Sequence, residues 1–473
     1  MGFDLVTANS GAIAVISIIG AIIVSRFAVR RYREVPVEYR FATYPTMLVA
    51  IAFLFYALGS FSGVVDVIIP IGDIVQYKLT ISLVATGNLM VAFAALLAIE
   101  RRKFSIPVFI LYFIGIFVVW TAPGVPMPLL NTVLMVLVIA ILGFGPAILF
   151  GYLWTKTRKT TVFSLFIGIL LISISGSARG MSPTNPFAPI LSWIGLFGYT
   201  IITIGFLLPD LDIGGEFLGY TAALVIMAAQ VVWVLMWYDF VPIAELFFTA
   251  ATQIAAGLAF ISATFLWGRY RIKPHYSTIL LFSFFLFIAI GYILYVIDVF
   301  ARFVPELSWV PPVVGTLGTY LGFVGVAFAA ASAIYAMEWR PLTLLPFIIA
   351  IPLTIIAVFF FPEISHPGAA EVFPANVFWW STIGLLSLFF FIPIILYSLI
   401  YKRLRKEPFS GRGKALGLAL GLFLIFPAHI TFVPIFIRAT IRVFAFAILL
   451  IALTGWLDRL LDRGNTKTEA ITA

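Results

Sequence analysis

Apolar residues run along this chain in unbroken blocks of about 20, enough to cross a hydrocarbon core of roughly 30 Å as a helix. The blocks show no alternation of period two, so they predict helices and not the strands of a barrel; in lipid the backbone polar groups must be satisfied within each segment. In order, they predict spans over 12–29, 44–68, 78–99, 105–121, 129–154, 161–178, 188–208, 217–238, 246–267, 277–300, 312–336, 342–361, 376–401, 414–431 and 434–456. The fold class expected is all-α, a polytopic membrane protein of about fifteen transmembrane helices.

The polar residues between the blocks predict an orientation. Arg26, Arg30, Arg31 and Arg33 follow the first apolar run instead of preceding it, which reads as a first helix with its N-terminus outside and not as a cleavable leader. With that start, the odd-numbered helices end in the cytoplasm, and seven of their eight ends are basic, among them ERRK, TKTRK, GRYRIKPH and YKRLRKEPFSGRGK. Only PDLDIGGE departs, and the opposite loops are poor in Lys and Arg. The positive-inside rule then gives a multi-pass protein of the cell membrane with its C-terminus cytoplasmic.

Three ordered matches predict an internal duplication. Phe53-Leu54-Phe55, Gly59 and Asp66-Val67 of the second helix recur as Phe285-Leu286-Phe287, Gly291 and Asp298-Val299 of the tenth. VAFAALLAI (91–99) returns as VAFAAASAI (326–334), with Gly87 matching Gly322. Pro146, Ile148-Leu149 and Arg158-Lys159 recur as Pro393, Ile395-Leu396 and Arg405-Lys406. A seven-helix unit has an odd number of crossings, so a directly joined copy would be inverted; the unmatched eighth helix restores the orientation. The expected organisation is a first repeat over 1–210, a linker helix within 211–245, a second, parallel repeat over 246–460 and a polar tail over 461–473. In topology alone, with no shared motif, this resembles the parallel-repeat design of sugar-efflux transporters.

Composition narrows the chemistry. Of 473 residues 63% are hydrophobic and 10% charged, too few charges to cover a water-soluble surface of this size. The net charge of +9 collects in short loops, none long enough to carry a nucleic-acid-reading module, so the bilayer and not nucleic acid is the expected partner. The absence of cysteine excludes disulfides, thiolate metal sites and cysteine-bound clusters. The three histidines, His275, His366 and His429, share no helix face at ligand spacing, and no cofactor is expected. Phosphate-loop, dinucleotide, zinc-protease and serine-hydrolase motifs are all missing, so no catalytic residue is assigned.

Charge inside the membrane is the remaining signal, because it is costly and tends to face a cavity or a partner. Counted from Pro434, Arg438 and Arg442 lie roughly 6 and 12 Å deeper at 1.5 Å per residue, and four residues apart they share a face. The competing reading is snorkelling toward lipid phosphates. Asp298 is the expected partner, with Asp66 as its first-repeat counterpart, and Arg179 and His429 form a second, looser pair at outer helix ends. If Pro189 matches Pro434, Trp193 and Phe197 stand where the second repeat has its arginines. The substrate-binding site expected from sequence therefore comprises Asp298, Arg438 and Arg442, with Asp66 and Arg179. Asn88, Gln230 and Gln253 are expected to make interhelical hydrogen bonds. The function these features favour is a transporter or permease; the alternative is a cofactor-free membrane subunit anchoring other membrane or peripheral subunits, as in a quinone-contacting respiratory complex.

Overall fold

The structure is a computed structural model. It describes residues 5–68, 73–121, 129–181, 188–237, 239, 241–302, 310–360, 390–404, 411–429 and 433–459. The described residues are helical, with no strand among them. They form two compact units, Met1–Asp239 and Phe240–Ala473. Nine of the described helices are long and apolar enough to cross a membrane.

Unit 1 contains α1 (Leu5–Glu34), α2 (Tyr44–Ile68), α3 (Asp73–Ala98), α4 (Ser105–Thr121), α5 (Leu129–Thr157), α6 (Thr160–Met181), α7 (Ala188–Leu207) and α8 (Gly215–Trp237). Helix α2 packs on α1 and α3, α7 on α1 and α6, α4 on α3 and α5, and α8 on α1 and α7. At the centre the rings of Phe53, Tyr56 and Tyr199 meet edge to face with centroids 5.3–6.3 Å apart. Gly20 makes this possible, since a Cβ there would stand 2.4 Å from the Phe53 ring. By contrast α4 buries only Gly115, Val118 and Val119, and turns Phe109, Phe113 and Phe117 outward. Such a face suits hydrocarbon and not water.

Unit 2 contains α9 (Ile243–Ile272), α10 (Tyr276–Ala301), α11 (Val310–Ala336), α12 (Leu345–Phe360), α13 (390–404), α14 (Arg412–Ile425) and α15 (Ile435–Leu453). Helix α10 packs on α9 and α11, α15 on α9 and α14, and α12 on α11. Helices α10 and α11 cross backbone to backbone: a Cβ on Gly291 would stand 2.7 Å from the Gly318 carbonyl oxygen, and one on Gly318 would stand 2.9 Å from that of Gly291. Small residues allow such approach where lipid supplies no hydrophobic drive between helices.

Helix ends show how the sequence sets boundaries. At the end of α3, the Arg101 amide donates to the Leu96 carbonyl at 2.9 Å, with Glu100 in the left-handed region at φ 60°. The end of α11 repeats this: the Trp339 amide donates to the Ile334 carbonyl at 3.2 Å and Glu338 has φ 67°. These are Schellman-type endings, which satisfy the last carbonyls. Short 3-10 turns, Arg102–Phe104 and Arg340–Leu344, then lead into α4 and α12. Pro242 and Pro434 cap α9 and α15 at extended ψ of 137° and 138°, where a missing amide costs no helical bond. Helix α1 continues to Glu34, five residues past its apolar run, and closes with an Arg30–Glu34 pair at 2.7 Å. Hydropathy marks the edge of the lipid, not the end of the helix.

Pro146 lies inside α5 and Pro393 within α13. The expected first part of the thirteenth span (376–389), His366 and the polar tail lie outside the described residues.

Candidate functional site

The most distinctive polar cluster is in unit 2, where α15 lies against α9. Ala439, fully buried, packs on Phe248 and Ala251 and brings the two helices close. Three residues on, the same face carries Arg442, only 4% exposed. Its Nη1 donates to the Thr252 hydroxyl at 2.6 Å and its Nη2 to the Ala428 carbonyl at 3.2 Å. The Thr252 hydroxyl donates in turn to the Phe248 carbonyl at 2.7 Å, which leaves its lone pairs turned to the guanidinium. Ala428 belongs to the 3-10 turn Pro427–His429 after α14, so three segments converge on one side chain.

Aromatic faces complete the surroundings. The Arg442 Cζ lies 4.5 Å from the Phe248 ring centroid, 4.8 Å from Tyr292 and 6.0 Å from Tyr295. Rings offer a cation the negative face of their quadrupole, a stronger attraction once water is removed. Arg438, one turn earlier and half-buried, places its Cζ 5.1 Å from the same Phe248 ring. Two guanidinium groups therefore share one aromatic ring. The Nε atoms of both arginines are buried without a hydrogen-bond partner, and among the described residues neither arginine has a carboxylate within 4.0 Å.

Asp298 is 1% exposed and forms an ion pair with Arg302, one turn along its own helix. Its two oxygens accept from Arg302 Nη2 at 2.5 Å and Nε at 3.4 Å. Tyr295 lies within electrostatic reach of Arg442, Arg302, Asp298 and Arg438, so the four charges belong to one neighbourhood. Among the described residues this neighbourhood holds three guanidinium groups and one carboxylate. Among the described residues no group of His, Asp and Glu is arranged to hold a metal ion.

Asp66 lies in α2 and Arg179 in α6, and their side chains fall outside the described residues. Two buried polar contacts between helices of unit 1 are neutral: Tyr56 donates to Asn88 at 2.6 Å between α2 and α3, and Asn9 donates to Ser192 at 2.6 Å between α1 and α7. Asn88 thus makes the interhelical bond expected of it. His275 sits just before α10 with its ring against Tyr335, and His429 ends the 3-10 turn after α14.

Sequence reasoning located the arginines by their depth and missed what surrounds them. Thr252 and Phe248 on α9, and Tyr292 and Tyr295 on α10, carry no motif. Their only sequence signal is spacing, with Tyr292, Tyr295, Asp298 and Arg302 following one face of α10 at steps of three and four. The Asp298–Arg302 pair was legible from that same step of four. No family model, curated protein or solved structure matches this chain.

Proposed function

We propose that this protein is a multi-pass membrane transporter, and that Arg442, with Arg438 and the Asp298–Arg302 pair beside it, recognises an anionic group on its substrate. One observation carries the reading: the buried Arg442 guanidinium rests on the neutral Thr252 hydroxyl and Ala428 carbonyl, with no carboxylate within 4.0 Å among the described residues. Burying a charge without a counter-ion is expensive, and a structural role would be met by an apolar side chain at lower cost. A carboxylate or phosphate oxygen reaching the free Nε atoms would supply the missing partner.

The wider architecture we propose is two parallel seven-helix repeats with an outside N-terminus and a cytoplasmic C-terminus. Its support lies in the neighbour pattern: each of α1–α2, α2–α3, α3–α4, α1–α7 and α6–α7 has a counterpart eight helices later. Gly59 approaches Thr80 as Gly291 approaches Gly318, and Gly87 approaches Tyr56 as Gly325 approaches Ile288. Together with Glu100 and Glu338, these favour α3–α11 equivalences 238 positions apart, three residues later than the VAFAA match. Likewise Phe53 against Tyr199, and Phe285 against Phe446, favour Gly195 as the position opposite Arg442. A Cβ at Gly195 would stand 2.6 Å from the Ser175 hydroxyl and 3.1 Å from its Cβ, so a side chain there would require Ser175 to move. On this reading the two repeats diverged at the site itself.

The test is thermal unfolding of the purified protein in mild detergent against a panel of small carboxylates and phosphates. A ligand at ten times its Kd should stabilise the wild type by about 1.4 kcal/mol. Arg442→Leu should lose that response, while Arg442→Lys, which keeps the charge, should retain part of it. Identical responses of wild type and Arg442→Leu across the panel would refute the site. Purification with haem-bearing or soluble partners would favour the complex-subunit alternative instead.

A further inference from the structure

Unit 1 contains a cavity of about 760 Å³ that the arginine cluster of unit 2 does not explain. It lies among the basic ends of α1, α3 and α5 and the adjoining ends of α2, α6 and α7. Its floor is apolar and buried, formed by Val49, Phe150, Leu165 and Phe206. Its rim carries three exposed cations, Arg31, Arg102 and Lys159, against a single carboxylate, Glu100.

Two of the rim cations lie over aromatic rings of unit 1. Arg31 lies over the Phe27 ring at 5.5 Å and Arg102 over the Phe41 ring at 5.9 Å, and neither has a carboxylate within 4.0 Å among the described residues. Both aromatic rings line the same cavity. Each guanidinium thus lies over a ring at the mouth. Volumes of roughly 300–1,000 Å³ are typical of sites that enclose a small molecule.

We propose that this cavity binds an anionic amphiphile: a phosphate-bearing headgroup on Arg31, Arg102 and Lys159, with hydrocarbon against the Phe150–Leu165 floor. A small soluble anion would leave the floor unused, and a neutral lipid would leave the rim unpaired. The site also lies at the helix ends that the charge pattern assigns to the cytoplasm, where the leaflet is rich in anionic lipid. It is independent of the Arg442 reading, since every residue that lines it belongs to unit 1.

Native mass spectrometry of the full, delipidated chain in detergent tests this with three probes: phosphatidylglycerol, phosphatidylcholine of the same acyl chains, and glycerol phosphate. Phosphatidylglycerol should bind with one tight site per chain and the other two should not. Removing the rim charges singly (Arg31→Ala, Arg102→Ala, Lys159→Ala) should weaken it about fivefold each. Ala42→Trp, placed on an exposed turn that lines the cavity, should block the lipid while leaving all three charges in place. Equal binding of the two lipids would overturn the rim's role, and tight binding of glycerol phosphate alone would overturn the amphiphile. Unchanged phosphatidylglycerol binding in both the charge variants and Ala42→Trp would place the lipid elsewhere and end the proposal.

Discussion

Gly291→Ala offers the sharpest check on how unit 2 is held together. The new methyl carbon would stand 2.7 Å from the Gly318 carbonyl oxygen, where ordinary contact begins at 3.4 Å, so a deficit of 0.7 Å must be absorbed. The obstructing atom is backbone in the middle of α11 and cannot rotate aside, so the helices themselves must separate. A gap of 0.5–1 Å forfeits roughly a quarter to a half of each dispersion contact across an interface, and overpacking of this kind costs about 1–3 kcal/mol. The same interface supplies its own control. Gly322 has no atom within 4 Å of its would-be Cβ, so Gly322→Ala should be neutral or gain up to about 1 kcal/mol from helix propensity. Gly318→Ala should resemble Gly291→Ala, and the double variant should fall short of the sum, because one separation relieves both clashes. The assay is the unfolding midpoint in mixed micelles with increasing anionic detergent. If Gly291→Ala and Gly322→Ala unfold together, the backbone crossing of α10 and α11 is not as described.

Two further substitutions probe features of the same kind. Gly205→Ala on α7 would drive its Cβ to 2.0 Å from the Ser164 hydroxyl and 2.3 Å from the Ser164 Cβ, so it should destabilise unit 1 by about 1–3 kcal/mol; Ser164→Gly in the same chain should recover most of the loss in a detergent melt. Glu338→Gly should raise the melting midpoint, by about 1 kcal/mol in free energy, because Glu338 is held at φ 67° where only glycine escapes the Cβ penalty; a lowered midpoint would mean that its carboxylate outweighs the strain.

The helices themselves were largely legible in the sequence. The apolar run over 44–68 coincides with α2, and that over 105–121 with α4, because lipid demands the same length that the helix uses. Boundaries moved where another force acts: α12 begins at Leu345, not 342, since the Arg340–Leu344 turn precedes it, and α14 stops at Ile425 ahead of Pro427. The burial of Arg442 followed from its depth. Its surroundings did not, because Thr252, Ala428 and the rings come from segments up to 190 residues distant, and nothing local marks which face of α9 or α10 will meet α15. The cavity of unit 1 was hidden for a related reason. Arg31, Arg102 and Lys159 each read as one more cytoplasmic charge until folding gathers them around one mouth.

The fixed cation on α15 has a consequence for whatever moves near it. The buried Arg442 guanidinium contributes a positive potential to the space around it. In a medium of low dielectric that potential extends well beyond contact distance and repels sodium, potassium and hydronium alike. For the transporter proposed here, a cation-driven cycle would need its route laid away from this helix, whereas an anion would find the same field downhill from the start.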